Sequence, residues 1–135
     1  MFSTDPVVHV KGVSIFHDHN TILGEVSFDI QKGEFVFMVG RTGSGKSSLL
    51  KTLYADFPLR LGEMKVAGFD LRTIKPMQVP LLRRKLGIIF QDFLIFNDRS
   101  VGQNLMFVMK ATGWNDNAKM RAGLSFSVNE KGQWT

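Results

Sequence analysis

Apolar and polar positions divide the chain into short strand-like runs, one continuously apolar run and several helical stretches. Residues 7–10 and 13–16 are rich in β-branched side chains, which suit a pleated, half-buried surface. Residues 21–23 follow as a third run. In residues 26–30, Val26, Phe28 and Ile30 alternate with Ser27 and Asp29. That period of two predicts a strand with one buried and one wet face. After the turn Gln31-Lys32-Gly33-Glu34, the run Phe35-Val36-Phe37-Met38-Val39 is apolar throughout, as expected of a central parallel strand covered on both faces. A glycine-rich loop follows, and then Leu49, Leu50 and Leu53 at helical spacing over residues 47–54.

The second half is less regular. Residues 62–66 predict a strand and residues 67–70 a turn. Pro76 and Pro80 limit residues 74–85 to a short helix. Residues 86–90 form a further apolar run ending at Gln91, which predicts another strand. Ser100, with Gln103 three positions on, forms a capping box that opens a helix whose apolar face is Leu105, Val108 and Met109. Gly113 is placed to stop that helix. Residues 117–122 can begin another. Residues 123–135 have no clear period, and there is no internal repeat or low-complexity segment.

A length of 135 residues and a hydrophobic fraction of 44% fit one globular domain. The net charge is +5, from 17 basic and 12 acidic residues. Apart from Arg83-Arg84-Lys85 the cations are scattered, so the balance reads as solubility, with a basic face near anionic lipid or a nucleotide as the sharper alternative, and nucleic-acid binding gets little support. The absence of cysteine excludes disulfides, zinc–thiolate sites and thiol nucleophiles. No basic region followed by an apolar run opens the chain, and no apolar stretch approaches the roughly 20 residues that span a bilayer. The expectation is a cytoplasmic protein, any membrane role of which must come through a partner.

The chemistry concentrates in Gly40-Arg41-Thr42-Gly43-Ser44-Gly45-Lys46-Ser47, which matches GxxxxGK[ST]. A polyphosphate needs several backbone N–H groups turned toward one point, and glycines let the chain curl that closely. A helix beginning near Lys46 adds free amides and a partial positive charge. Lys46 is placed for the β- and γ-phosphates, and the Ser47 hydroxyl for Mg²⁺, with Ser48 completing the site. A glycine-rich turn that binds nothing is the plain alternative, but a buried strand before the loop and an amphipathic helix after it are the context that phosphate binding requires. His17 and His19, two apart around Asp18, lack further nearby ligands and read as a surface turn.

A P-loop alone does not choose among kinases, GTPases and ATPases. Here a strand-rich segment precedes Gly40, so an antiparallel β-subdomain comes first. The lead-in of residues 26–34, the P-loop, and Leu86-Gly87-Ile88-Ile89-Phe90-Gln91-Asp92 together resemble the nucleotide-binding domain of the ATP-binding-cassette (ABC) family. Within it, Phe90-Gln91-Asp92-Phe93, Asp98-Arg99-Ser100-Val101, Asn104-Leu105 and residues 107–114 are similar to the cell-division (FtsE) branch, though lipoprotein-release and macrolide-export ATPases share much of this pattern. The resemblance covers about residues 7–114.

What it implies is an α/β fold: a P-loop NTPase core with an N-terminal antiparallel β-subdomain, incomplete at its C-terminus. Residues 1–122 are the N-terminal portion of the nucleotide-binding domain, and residues 123–135 are a tail outside the family pattern. The implied ligands are ATP and Mg²⁺. Ser47 and Gln91 are the implied metal ligands, with Gln91 also positioning water, and Phe16 stands where the family places an aromatic against adenine. The implied partners are an FtsX-like integral membrane protein and a second nucleotide-binding domain. Residues 93–99 are implied to form part of the groove for the membrane partner, the plain alternative for Phe93, Leu94, Ile95 and Phe96 being simple core packing.

The sequence also departs from the family. Leu124-Ser125-Phe126-Ser127 lacks the glycines of the signature loop, no apolar strand ending in Asp-Glu follows Gln91, and no switch histidine appears. The expectation is therefore a truncated or frame-disrupted chain that binds MgATP, lacks a base to position water and turns over very slowly. Two other readings stay open: a non-catalytic module that docks on a membrane partner, and a different P-loop enzyme such as a small-molecule kinase.

Overall fold

The computed structural model describes residues 5–91 and 94–125. The chain folds as two units, Met1–Gly87 and Ile88–Thr135.

The first unit is built on a four-stranded antiparallel sheet in the order β2-β1-β3-β4. Its strands are β1 (Val8–His17), β2 (Asn20–Ile30), β3 (Leu61–Val66) and β4 (Phe69–Asp70). The two expected runs at 7–10 and 13–16 are one strand. They are separated by a bulge, where the register to β2 slips between Val10 and Val13 and Gly12 takes φ 59°. Ser27 Oγ accepts the freed Gly12 N–H at 2.8 Å, so the bulge leaves no orphan donor there. Across β1, Gly62 has φ 96°, and a Cβ on it would stand 2.5 Å from Gly12 O. Only glycine fits that approach. In β2 the predicted alternation holds: Val26, Phe28 and Ile30 are half-buried while Ser27 and Asp29 are exposed.

The core gathers Val10, Val13 and Ile15 from β1, Met64 and Val66 from β3, Leu71, Leu49 of α1 (Lys46–Leu53) and Leu82 of α2 (Val79–Arg83). Each fully buried side chain of this kind stabilises the fold by roughly 1.5–3 kcal/mol relative to exposure. A 3₁₀ turn, Pro76–Gln78, precedes α2, as the two prolines require. Arg83 then donates from Nε to Tyr54 O at 3.0 Å and from Nη2 to Ala55 O at 3.2 Å. These carbonyls lie at the C-terminal end of α1, where a cation also meets the negative end of the helix dipole.

Two expected strands do not form. Residues 35–39 run without pairing, with Phe35 83% and Val39 91% exposed. No backbone hydrogen bond ties them to another described segment. A central parallel strand needs a ladder on each side, but β2 is committed to β1 and no parallel neighbour occurs among the described residues. The only contact of note within the run is an edge-to-face pair of Phe35 and Phe37, 4.9 Å between centroids. Residues 86–90 likewise form no strand, and Ile89 is 94% exposed. Apolarity alone reports what a segment can do and not whether its neighbours are present.

In the second unit, α3 (Val101–Ala111) starts at the capping box read from the sequence. Ser100 Oγ accepts from Gln103 N–H at 3.2 Å, and Gln103 Oε1 accepts from Ser100 N–H at 2.9 Å. Gly113, at φ 98°, follows the helix end as expected. The last helix, α4 (Asn117–Ser125), is opened by Asp116, whose Oδ1 accepts from Ala118 and Lys119 N–H at 2.8 and 3.2 Å. The part of the sequence tail beyond residue 125 lies outside the described residues.

Candidate functional site

The glycine loop rests on α1. Gly43 and Gly45 have φ 80° and 89°, values natural only to glycine, and they turn the chain into the helix. Gly45 is the N-cap, and no side chain caps α1. The first amide of the helix with a backbone acceptor is that of Leu49, which donates to Gly45 O at 2.9 Å. The preceding amides of the first turn are the orphan donors that make a helix N-terminus an anion site. On the other side, β2 closes against the loop. A Cβ on Gly45 would meet Ile22 Cγ2 at 3.0 Å and Leu23 Cβ at 3.2 Å.

Lys46 folds back over this loop. Its Nζ donates to Gly40 O at 2.6 Å, Arg41 O at 2.7 Å and Ser44 Oγ at 3.3 Å. An ammonium has three protons, so this set uses all of them. A bound anion therefore competes with the loop's own oxygens for Lys46 and gains the charge at the centre of the curl. A Cβ on Gly40 would stand 2.7 Å from Ser44 Oγ and 3.6 Å from Lys46 Nζ, so glycine keeps this centre open. Beside it lies a cleft of about 340 Å³ lined by Ile22, Thr42, Gly43, Gly45, Lys46, Ser47 and Ser48. Orphan amides, one cation and the Ser47 and Ser48 hydroxyls suit a polyphosphate with a hard cation. Among the described residues no cluster of His, Cys, Asp or Glu forms a metal site without the phosphate.

The structure thus brings together every expected residue from Gly40 to Ser48, and it adds Ile22, which the sequence reading missed. Its only signal was the strand character of residues 21–23. Phe16 sits elsewhere in the first unit. Half-buried on β1 opposite Thr21, it lines a cleft of about 280 Å³ with Ser14, His17, Thr52, Phe57 and Arg60, and no P-loop residue lines that cleft. Gln91 is an exposed turn residue of the second unit. His17 and His19 stand exposed at the β1–β2 turn, as expected. Leu94, Ile95 and Phe96 are exposed and do not form core packing, while Phe93 lies outside the described residues.

A second polar cluster, away from the loop, was not legible beforehand. Arg72 makes a fork to Asp70, Nε to Oδ1 at 3.1 Å and Nη2 to Oδ2 at 2.8 Å, and reaches Glu63 at 3.2 Å. The hydrogen bonds from Arg72 hold the Asp70 carboxyl at a pKa of about 2, below its usual range.

A family model for ABC transporters matches residues 23–133. The chain belongs to the ABC transporter family. Among curated ABC relatives, the cell division ATP-binding protein FtsE of Streptococcus pneumoniae serotype 2 is 39% identical over 110 residues, which cover 81% of this chain and 48% of that protein. FtsE of Bacillus subtilis is 37% identical over 91 residues, 67% of this chain and 40% of that one. An importer subunit also matches: the phosphonates import ATP-binding protein PhnC of Lactobacillus delbrueckii subsp. bulgaricus is 36% identical over 101 residues, 74% of this chain and 40% of its own length. The chain therefore spans 40–48% of these relatives. Among solved structures, a dimeric bacterial ABC transporter cassette superposes with a TM-score of 0.76 at 22% identity, covering 94% of this chain and 60% of the cassette. The same cassette as a post-hydrolysis dimer with ADP and Pi gives 0.75 at 23% identity, covering 93% and 59%. The fold is that of an ABC ATPase cassette: a P-loop NTPase domain, present in part, with its antiparallel β-subdomain formed. Among the described residues no helix is long and apolar enough to cross a membrane.

Proposed function

We propose that the chain is the MgATP-binding portion of the energy-coupling ATPase subunit of an FtsE-like ABC complex acting in cell division. The observation that carries the reading is Lys46 held at the focus of the P-loop by three oxygens, with the uncapped N-terminus of α1 beside it. In this proposal the amides of residues 43–48 and the Lys46 ammonium bind the phosphates. Ser47 and Gln91 ligate Mg²⁺, and Phe16 packs on the base. The exposed residues 94–99 take part in docking an FtsX-like membrane protein, which would hold the chain peripherally at the inner face of the plasma membrane. A second nucleotide-binding domain that carries the signature loop these 135 residues lack would complete the nucleotide site in a dimer. The longer FtsE match, 39% identical over 110 residues, supports the cell-division branch, while importer subunits that match at 36% over 101 residues and 39% over 90 residues keep an importer as a competing assignment.

The 135 residues contain no signature loop, no Asp-Glu pair after an apolar strand and no switch histidine. We propose that by themselves they bind nucleotide without appreciable turnover, and that residues 123–135 take no part in the site. Calorimetry with MgATP tests this directly. Saturable binding is expected, and Lys46→Ala should weaken it by about 100-fold or more, the scale of a charge-assisted contact worth about 3 kcal/mol. Binding that is equal in both proteins would overturn the assignment of the loop. The competing reading, a docking module without nucleotide, predicts no heat with either protein and unchanged docking in Lys46→Ala.

A further inference from the structure

The basic triplet Arg83-Arg84-Lys85 reads in the sequence as charge alone, but two of its cations are committed to backbone oxygens within the first unit. Arg83 donates from Nε to Tyr54 O at 3.0 Å and from Nη2 to Ala55 O at 3.2 Å, and its Nη2 lies 3.8 Å from Asp56 Oδ1. Lys85 Nζ donates to Ala67 O at 3.5 Å and stands 5.3 Å from the centre of the Phe69 ring. Ala55 and Ala67 have one feature in common. Their φ angles are 58° and 48°, in the left-handed region that alanine rarely adopts. Arg84, between the two cations, is exposed.

Ala55 closes α1. Asp56 N–H donates to Lys51 O at 2.8 Å and Ala55 N–H to Thr52 O at 3.0 Å, the paired bonds of a Schellman end. Glycine usually makes that turn, because it has no Cβ to strain. Here alanine makes it, and Arg83 holds its carbonyl and the one before it from outside. The anchor is firm, since the neighbouring Leu82 is fully buried in the core. Helix α1 has only 8 residues, with Leu49 and Thr52 as its buried side chains. Its first turn carries the amides of the phosphate site, where Gly45 rests on Ile22 and Leu23. A rod of about 12 Å that loses its hold at one end pivots on the other, and a pivot of about 5° moves the free end by about 1 Å, beyond the tolerance of about 0.5 Å for a binding constellation.

We propose that Arg83 is a positioning residue of the nucleotide site. By latching the left-handed Ala55 end of α1 to α2, it fixes the angle at which the first turn of α1 presents its amides to phosphate. The inference rests on the proposed nucleotide role for its ligand, while the latch itself stands on the geometry of α1 and α2.

The test separates position from stability with Arg83→Met, Ala55→Gly and the double variant of the full 135-residue chain. Arg83→Met removes both donors. Ala55→Gly relaxes the helix end and restores stability, because glycine takes the left-handed conformation without strain, but it supplies no bond to α2. MgATP affinity is measured by calorimetry under conditions where circular dichroism shows every variant folded. Exchange of the Leu49 amide, which donates to Gly45 O at 2.9 Å, follows the first turn of α1 without nucleotide. Arg83→Met is expected to weaken MgATP by about tenfold, and the double variant to stay as weak although its urea midpoint recovers. Leu49 should exchange faster in both. Arg83→Lys keeps one donor and should regain part of the affinity, while Arg84→Met, which loses the same charge, should bind as the parent does. Affinity that returns with stability in the double variant, or equal weakening by Arg84→Met, overturns the inference. If the parent itself binds no MgATP, the nucleotide reading fails and Leu49 decides the latch: faster exchange in the double variant upholds it, and unchanged exchange overturns it.

Discussion

Two glycines of the P-loop that share a backbone conformation should respond very differently to alanine. At Gly43, φ is 80° and an added Cβ would have nothing within 4 Å. At Gly45, φ is 89° and the Cβ would meet Ile22 Cγ2 at 3.0 Å and Leu23 Cβ at 3.2 Å. Both alanines carry the left-handed penalty of about 1–2 kcal/mol. Only Gly45→Ala adds crowding, which in packed interiors costs about 1–3 kcal/mol. The expected losses are thus about 1–2 kcal/mol for Gly43→Ala and about 2–5 kcal/mol for Gly45→Ala. Urea unfolding by circular dichroism gives the totals. Exchange of the Leu49 amide, which donates to Gly45 O, gives the local opening. The cause can be isolated by Ile22→Ala, which removes the nearer obstacle but leaves Leu23 Cβ. The double mutant should recover about 1 kcal/mol relative to additivity. Equal losses for the two glycines, or a coupling of zero with Ile22, would show that β2 does not brace the loop.

Gly62→Ala should cost about 4 kcal/mol or more in the first unit, since its Cβ would lie 2.5 Å from the Gly12 carbonyl oxygen, and backbone cannot yield as a side chain can. Urea midpoints check this, and a loss below that of Gly43→Ala would refute it. Arg83→Met should lower stability by roughly 1–2 kcal/mol by stripping two hydrogen bonds from the end of α1, with faster exchange in its last turn as the readout. For acid unfolding, Asp70 has its pKa held near 2, against an ordinary 3.8, by Arg72. The pair's contribution is therefore complete above about pH 4 and lost as pH falls toward 2, and Asp70→Asn should flatten stability over that interval. An unchanged slope in the variant would mean that the fork is absent in solution.

What could be read beforehand follows the range of the interactions concerned. The capping box at Ser100 and Gln103, the stop at Gly113 and the helix after Gly45 are set by residues within one turn of each other, and all three formed as expected. The P-loop belongs to the same class, because its glycines and Lys46 interact within the loop itself. The bulge that joins two expected runs into β1 depends on Ser27 and Gly62, far away in sequence, and no local pattern announces it. Ile22 was missed for the same reason, since its role is set by what a Cβ at Gly45 would strike. The Asp70–Arg72 fork is local yet also escaped notice, because charged residues two apart in a turn carry no signal until the backbone aims them. The unpaired run at residues 35–39 is the opposite case: the pattern was strong, but it described a need for neighbours.

That run bears on how the site works, because the P-loop is anchored unequally at its two ends. On its C-terminal side, Leu49 and Thr52 are buried, the Thr52 hydroxyl donates to Ser48 O at 2.9 Å, and Ile22 and Leu23 press on Gly45. On its N-terminal side, Gly40 follows five exposed residues with no ladder; the Gly40 carbonyl is held to the site by Lys46, and that of Arg41 by Lys46 and by Ser44 N–H at 3.1 Å. Lys46 is the group a phosphate would take up. Binding thus exchanges the clamp on the Gly40 end for a contact with ligand, and the entropy of that end falls to whatever else orders residues 35–39. If those residues are paired in the working protein, the loop meets its ligand with both ends fixed and the clamp is dispensable. If they are not, part of the phosphate interaction is offset by ordering the loop, and the affinity of the 135 residues alone falls short of what the geometry of the curl offers.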